Sequence, residues 1–290
     1  MPISEHQGEI LPPIGGPVPV PEYPPAESHA EYAARSASRP QKSTFNPLSS
    51  PATYLLVGIN CAVYLWMCLH GASFQSPSGE DLLRFGAMGT HEVLAGQWYR
   101  LLTATFVHIG IIHIGTNMWC LWNLGLLGEP LIGAYGLVAV YMLTGIAGNL
   151  LSLALNVLMS LHQGINPAFG PDSIGAGASG AVFGIAGILI VLLSNKKLPI
   201  PWTELKRLRR SVIQFAVLNL ILGGATIFVD IIRIDNSAHI GGFLSGLALG
   251  VPLVPRMTSG RLRYLSRQKI TFVAAAFLMA LFGYWISKLS

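Results

Sequence analysis

Two side chains able to act as a nucleophile and a base lie inside separate apolar stretches. Ser179 stands in Gly175-Ala176-Gly177-Ala178-Ser179-Gly180-Ala181-Val182-Phe183-Gly184, and His239 in Asn236-Ser237-Ala238-His239-Ile240-Gly241-Gly242. Hydrocarbon penalises polar groups, so polar residues within spanning segments are rare and usually functional. A hydroxyl whose proton can pass to a neighbouring imidazole becomes a nucleophile. The pair therefore points to hydrolysis carried out inside a lipid bilayer.

The elements that must carry these residues follow from composition. The chain has 290 residues, 52% of them apolar and 11% charged, with a mean hydropathy of +0.54. That balance lies beyond soluble domains and implies an all-α, multipass membrane protein. About 20 residues cross the hydrocarbon layer, and seven apolar runs approach or exceed that length. They cover Ala52 to Leu69, Leu102 to Leu127, Leu131 to Leu155, Ile174 to Leu193, Val212 to Ile232, Ala238 to Val254 and Ile270 to Ser287. Residues 1–50, rich in Pro, Ala, Ser and Glu, read as a disordered, solvated tail whose stretch from Leu11 to Pro25 favours polyproline II.

The net charge of +5 does not indicate nucleic acid, because the basic residues cluster between apolar runs and report topology instead. Fourteen of the 18 Lys and Arg fall in the tail, in Lys196 to Arg210 and in Arg256 to Lys269; Arg84, Arg100, Arg233 and Lys288 fall on the other side. The tail is thus expected in the cytoplasm and the C-terminus outside. Cys61, Cys68 and Cys120 all lie in apolar runs and read as small packing groups. With this orientation the fourth and sixth spans enter from the outer face. Ser179 comes seven residues after Asp172 and His239 four after Asp235, about 6 to 10 Å below the last charge. Small residues let such helices approach closely: Gly242, Gly246 and Gly250 share a face with His239, and Gly180, Gly184 and Gly187 answer from the fourth span.

Gly177-Ala178-Ser179-Gly180 resembles the Gly-x-Ser-Gly nucleophile motif of the rhomboid intramembrane serine proteases. His239-Ile240-Gly241-Gly242-Phe243-Leu244-Ser245-Gly246 is similar to that family's histidine helix, and the run from Thr105 to Asn117 to its His-x4-His-x3-Asn pattern. Trp98-Tyr99-Arg100 resembles its Trp-Arg motif, and the segment from Tyr141 to Ser152 its third helix. The likeness spans about residues 52 to 256 in the family's order. It implies a six-helix catalytic core over 51–256, with a basic loop and an additional seventh transmembrane helix over 257–290. A bacterial inner membrane is the implied location.

The resemblance also assigns roles. Ser179 would be the nucleophile and His239 the general base. His113, Asn117 and the Ser179 amide would form the oxyanion hole, with Gly177, Phe183 and His108 in support. Phe183 replaces a tyrosine common in relatives and can still pack on the imidazole, while Tyr99 stands at the tryptophan position before Arg100. His108 is read as bonding a loop carbonyl, its ring on a different part of the helix from that of His113; Glu129 is read as structural. The dyad needs no third member, although Asp235 could approach His239. Substrates would be transmembrane segments of other proteins, unwound before attack. The gate would involve the fifth span, weakened by Gly223-Gly224, with the loop from Leu161 to Ile174 as a cap. No cofactor is implied. A haem protein using His108, His113, His162 and His239 would leave Ser179 and Asn117 unexplained. His91-Glu92-Val93-Leu94-Ala95 lacks the second histidine of a zinc-protease motif.

Overall fold

The computed structural model describes residues 49–169, 173–225, 235–254 and 260–289. Most of the tail, together with Gly170, Pro171, Asp172 and Asp230, lies outside the described residues. The described residues from 49 onward belong to one compact unit. Its helices are α1 (Pro51–Leu69), α2 (Gly79–Arg84), α3 (Thr90–Leu94), α4 (Arg100–Thr103), α5 (Ile111–His162), α6 (Ser179–Leu192), α7 (Trp202–Ala225), α8 (Asn236–Leu253) and α9 (Arg261–Ile286). A two-residue antiparallel ladder, β1 (Met88–Gly89) with β2 (Ile174–Gly175), pairs Met88 with Gly175 and Gly89 with Ile174.

Helix α1 starts at a proline, which is tolerated there because the first amides of a helix have no internal partner. Those amides are met by Glu129. Its carboxylate accepts from the Ala52 N–H (2.9 Å), the Thr53 N–H (2.8 Å) and the Thr53 hydroxyl (2.7 Å). The group is 3% exposed, so a carboxylate that would be expensive in isolation closes one helix onto another. The structural role expected of Glu129 is this cap.

Helix α5 runs for 52 residues, about 78 Å at 1.5 Å per residue and more than twice a hydrocarbon layer. It is not one rod. Gly133, at φ 75° and ψ 165°, breaks the helical path three residues after Pro130, dividing it into two arms that match the second and third apolar runs. With α1 and α9 it is among three described helices long and apolar enough to cross a membrane; α6 is a shorter apolar helix.

Several boundaries differ from the sequence reading: the fourth run was expected from Ile174, but Ile174 and Gly175 form β2 and α6 starts at Ser179. The second run was expected from Leu102, but α5 starts at Ile111, because Gly110 adopts φ 116° and breaks the path. The residues before it form α4 and a buried loop. Conversely, α7 begins at Trp202, ten residues before Val212, and α9 at Arg261, nine before Ile270. Their leading turns are rich in Leu, Lys, Arg and Glu, all strong helix formers, and Glu204 pairs with Arg207 at 2.9 Å one turn away.

Helix α6 lies at the centre, with most of Gly180 to Leu192 buried. Its approach to α8 is a contact of backbones. A methyl group on Gly242 would strike the Gly180 carbonyl, and one on Gly246 the Gly184 carbonyl. The glycine stripes read from the sequence therefore face each other. Helix α9 packs on the outside, where Gln268 donates to the Ile132 carbonyl at 2.7 Å and Phe272 meets Tyr135 edge-on with ring centres 5.8 Å apart.

Candidate active site

Ser179 is the first residue of α6 and His239 lies in the first turn of α8. Both line one cavity of about 560 Å3, together with His113, Gly177 and Asp235. Two helix N-termini thus deliver a hydroxyl and an imidazole to a shared space whose remaining wall is largely apolar.

The approach to Ser179 is fixed by the loop before it. The β1–β2 ladder holds Gly175, the Gly177 N–H donates to the Ala104 carbonyl (2.9 Å), and the Ala178 N–H donates to His108 Nε2 (3.5 Å). Gly177 has φ 126°, and a β-carbon there would lie 2.6 Å from His113 Cε1; no other residue would leave that ring in place. The Ser179 amide belongs to the first turn of α6, where N–H groups lack helical partners and the helix dipole favours negative charge.

The His239 ring stacks on Phe183, with centres 4.4 Å apart and planes 18° from parallel. Phe183 in turn meets Phe215 of α7 at 6.0 Å. The imidazole is 6% exposed and its Nδ1 has no hydrogen-bond partner among the described residues. Asp235 does not bond to it. That carboxylate caps α8, accepting from the Ala238 N–H at 3.1 Å, and accepts the Ser152 hydroxyl at 2.5 Å.

His113 lies on the cavity wall, and the Ile109 N–H donates to its Nδ1 (3.3 Å). The neutral ring then carries its proton on Nε2, the nitrogen nearer Gly177. Asn117 is buried one turn after His113. Its amide donates to the His113 carbonyl (3.0 Å). That bond uses one of the two N–H groups of the amide and leaves the other as a donor. His108 departs from the sequence reading, since it precedes α5 and its ring lies 5.4 Å from that of His113. Its Nδ1 lies 3.1 Å from the Phe106 carbonyl, the loop contact foreseen for it.

Several wall residues escaped the sequence reading. Asn149 lines the cavity while donating to the Leu101 carbonyl (2.8 Å), and Gln75 covers it from the first loop. The signal available was the run Gly145, Asn149 and Ser152, polar and small residues at helical offsets on one face of the second arm of α5.

A bundle of apolar helices with a half-buried serine and a buried histidine lining one cavity defines an integral membrane protein with an internal polar site. Residues 95–256 match the Rhomboid domain, and the chain belongs to that family. It is similar to the rhomboid protease GluP of Bacillus subtilis, 33% identical over 205 residues, which cover 69% of this chain and 35% of that protein. The rhomboid protease AarA of Providencia stuartii is 28% identical over 264 residues, covering 87% of each chain. RHOMBOID-like protein 2 of Arabidopsis thaliana is 33% identical over 189 residues, covering 63% of this chain and 51% of the other. The match thus spans about a third to a half of the length of GluP and the plant relative.

Proposed function

We propose that the chain is an intramembrane serine protease that cuts transmembrane segments of other proteins with Ser179 as nucleophile and His239 as base. The observation carrying this is the placement of both residues, from different helices, on the wall of one cavity. Two relatives named as rhomboid proteases add support. In the reaction the Ser179 oxygen attacks the scissile carbonyl carbon while its proton passes to His239. The C–N bond then breaks, and the imidazolium returns the proton to the leaving amine. Water, activated by the same imidazole, hydrolyses the ester and frees Ser179. The oxyanion is met by the His113 Nε2–H, the remaining N–H of the Asn117 amide and the Ser179 amide. The acid places with other partners support a dyad: Asp235 is bonded to Ala238 and Ser152.

The catalytic core covers 51–256, and α9 is an additional span beyond it. Charge asymmetry supports a cytoplasmic N-terminus and an external C-terminus, in a bacterial inner membrane. Peptide bonds in an intact helix are shielded, so substrate must be extended before attack. Helix α7, with Gly223 and Gly224 near its described end, is the side on which it enters.

The test is to incubate purified protein and its Ser179→Ala form with a fluorophosphonate probe and a model transmembrane substrate. The parent should label and cut, and the alanine form do neither; labelling or cutting by the alanine form would end the assignment.

A further inference from the structure

The ends of α6 and α7 that face away from the cavity carry a concentration of positive charge that the reaction does not use. Lys196 Nζ, Lys206 Nζ and the Arg209 guanidinium carbon lie 5.2, 5.5 and 5.7 Å from the centre of one ring, that of Trp202. Each contact is favourable, since a cation is drawn to the face of an indole. Their convergence is not, because three like charges around one ring repel one another. Glu204 is the one acid between Leu193 and Val212, and it is engaged with Arg207. Lys196, Lys206 and Arg209 therefore share no counter-charge from their own segment.

The arrangement is also rigid and well placed. Trp202 packs against the main core, and Arg209 is tethered by a 3.1 Å hydrogen bond to the Ser194 hydroxyl. Trp202 is the first residue of α7, so the dipole of a 24-residue helix adds to the positive field. Helix α6 stops at Leu192 and the uninterrupted apolar part of α7 starts at Val212, which sets the cluster at the level of lipid headgroups. An indole at that level is itself at home, being apolar in body and polar at its N–H.

We infer that Lys196, Lys206 and Arg209, gathered around Trp202, form a binding site for the phosphate of an anionic phospholipid. The headgroup supplies the absent counter-charge, and its acyl chains run beside the apolar face of α7 presented by Ile213, Val217 and Ile221, which are exposed. Bound there, the lipid pins the inner end of α7. The site is independent of the proteolytic reading.

Native mass spectrometry of the full chain released from detergent tests this, with phosphatidylglycerol or phosphatidylcholine added. Each cation close to an anionic surface contributes about fivefold in affinity, so three contribute about a hundredfold. The parent should hold phosphatidylglycerol in preference to phosphatidylcholine. The triple form Lys196→Gln, Lys206→Gln, Arg209→Gln should lose that preference by about two orders of magnitude. A charge-preserving form, Lys196→Arg with Lys206→Arg, should keep it, which separates loss of charge from loss of fold. Equal retention of both lipids by the parent, or unchanged preference in the glutamine form, would overturn the site. Complete displacement of the lipid by millimolar inorganic phosphate would overturn the lipid as occupant.

Discussion

The contact between α6 and α8 gives the sharpest test of how the fold governs the chemistry. In Gly242→Ala the new methyl carbon would meet the Gly180 carbonyl oxygen and lie 2.7 Å from its carbon and 3.1 Å from the Gly180 Cα. Comfortable carbon–carbon contact is about 3.5 to 4 Å, and neither backbone can rotate away as a side chain would. The helices must part by about 1 Å. Ser179 and His239 ride on these two helices, close to the contact. A displacement of about 1 Å in a reacting pair costs about a hundredfold in rate, or about 2.7 kcal/mol of barrier. Overpacking a core costs about 1 to 3 kcal/mol of stability, so folded protein should persist with little activity. Cleavage of a model transmembrane substrate and fluorophosphonate labelling of Ser179 would be measured beside thermal unfolding. Gly115→Ala serves as a control, because nothing lies within 4 Å of that position. If Gly242→Ala cut at more than half the parent rate, or lost activity only in step with folded protein, the geometric reasoning would be wrong.

Other substitutions probe separate parts of the structure. Glu129→Gln removes a charge that accepts three hydrogen bonds at the start of α1 and should lower unfolding stability by about 2 to 4 kcal/mol; a loss under half a kcal/mol contradicts the cap. His113→Ala and Asn117→Ala should each slow turnover by about 100- to 1,000-fold, short of the loss in Ser179→Ala; an Asn117→Ala form as fast as the parent would remove that amide from the oxyanion hole. Phe183→Leu removes the ring stacked on His239, worth about 1 kcal/mol. Turnover should fall about fivefold while Phe183→Tyr holds the parent rate, and a leucine form as fast as the parent would dismiss the stack.

Spacing and polarity made the proposed Ser179–His239 pair and its glycine seam readable, because a lone hydroxyl or imidazole in an apolar run is conspicuous and a glycine every third or fourth residue marks a close approach. Residues Leu102 to Val107 misled, since apolarity reports burial and not helix; Leu101, Ala104 and Val107 are buried in a short turn and loop. Charge misled in the opposite sense at Glu204 to Arg210, where a basic stretch is the first turns of a helix. A helical wheel could not place His108 against His113, because Gly110 interrupts the helix between them. The Ser152–Asp235 bond joins residues 83 apart, and only the third dimension brings them together.

The line of rings from His239 through Phe183 to Phe215 has a mechanical meaning. Phe215 belongs to α7, the helix proposed as the entry side, so on that proposal the surface that yields to an incoming segment is also the far wall of the imidazole's support. An outward tilt of that helix would withdraw one buttress from the phenyl ring that stacks on His239. On the proposed mechanism, admission and readiness to react would be coupled through three aromatic faces, over no more than the thickness of a helix.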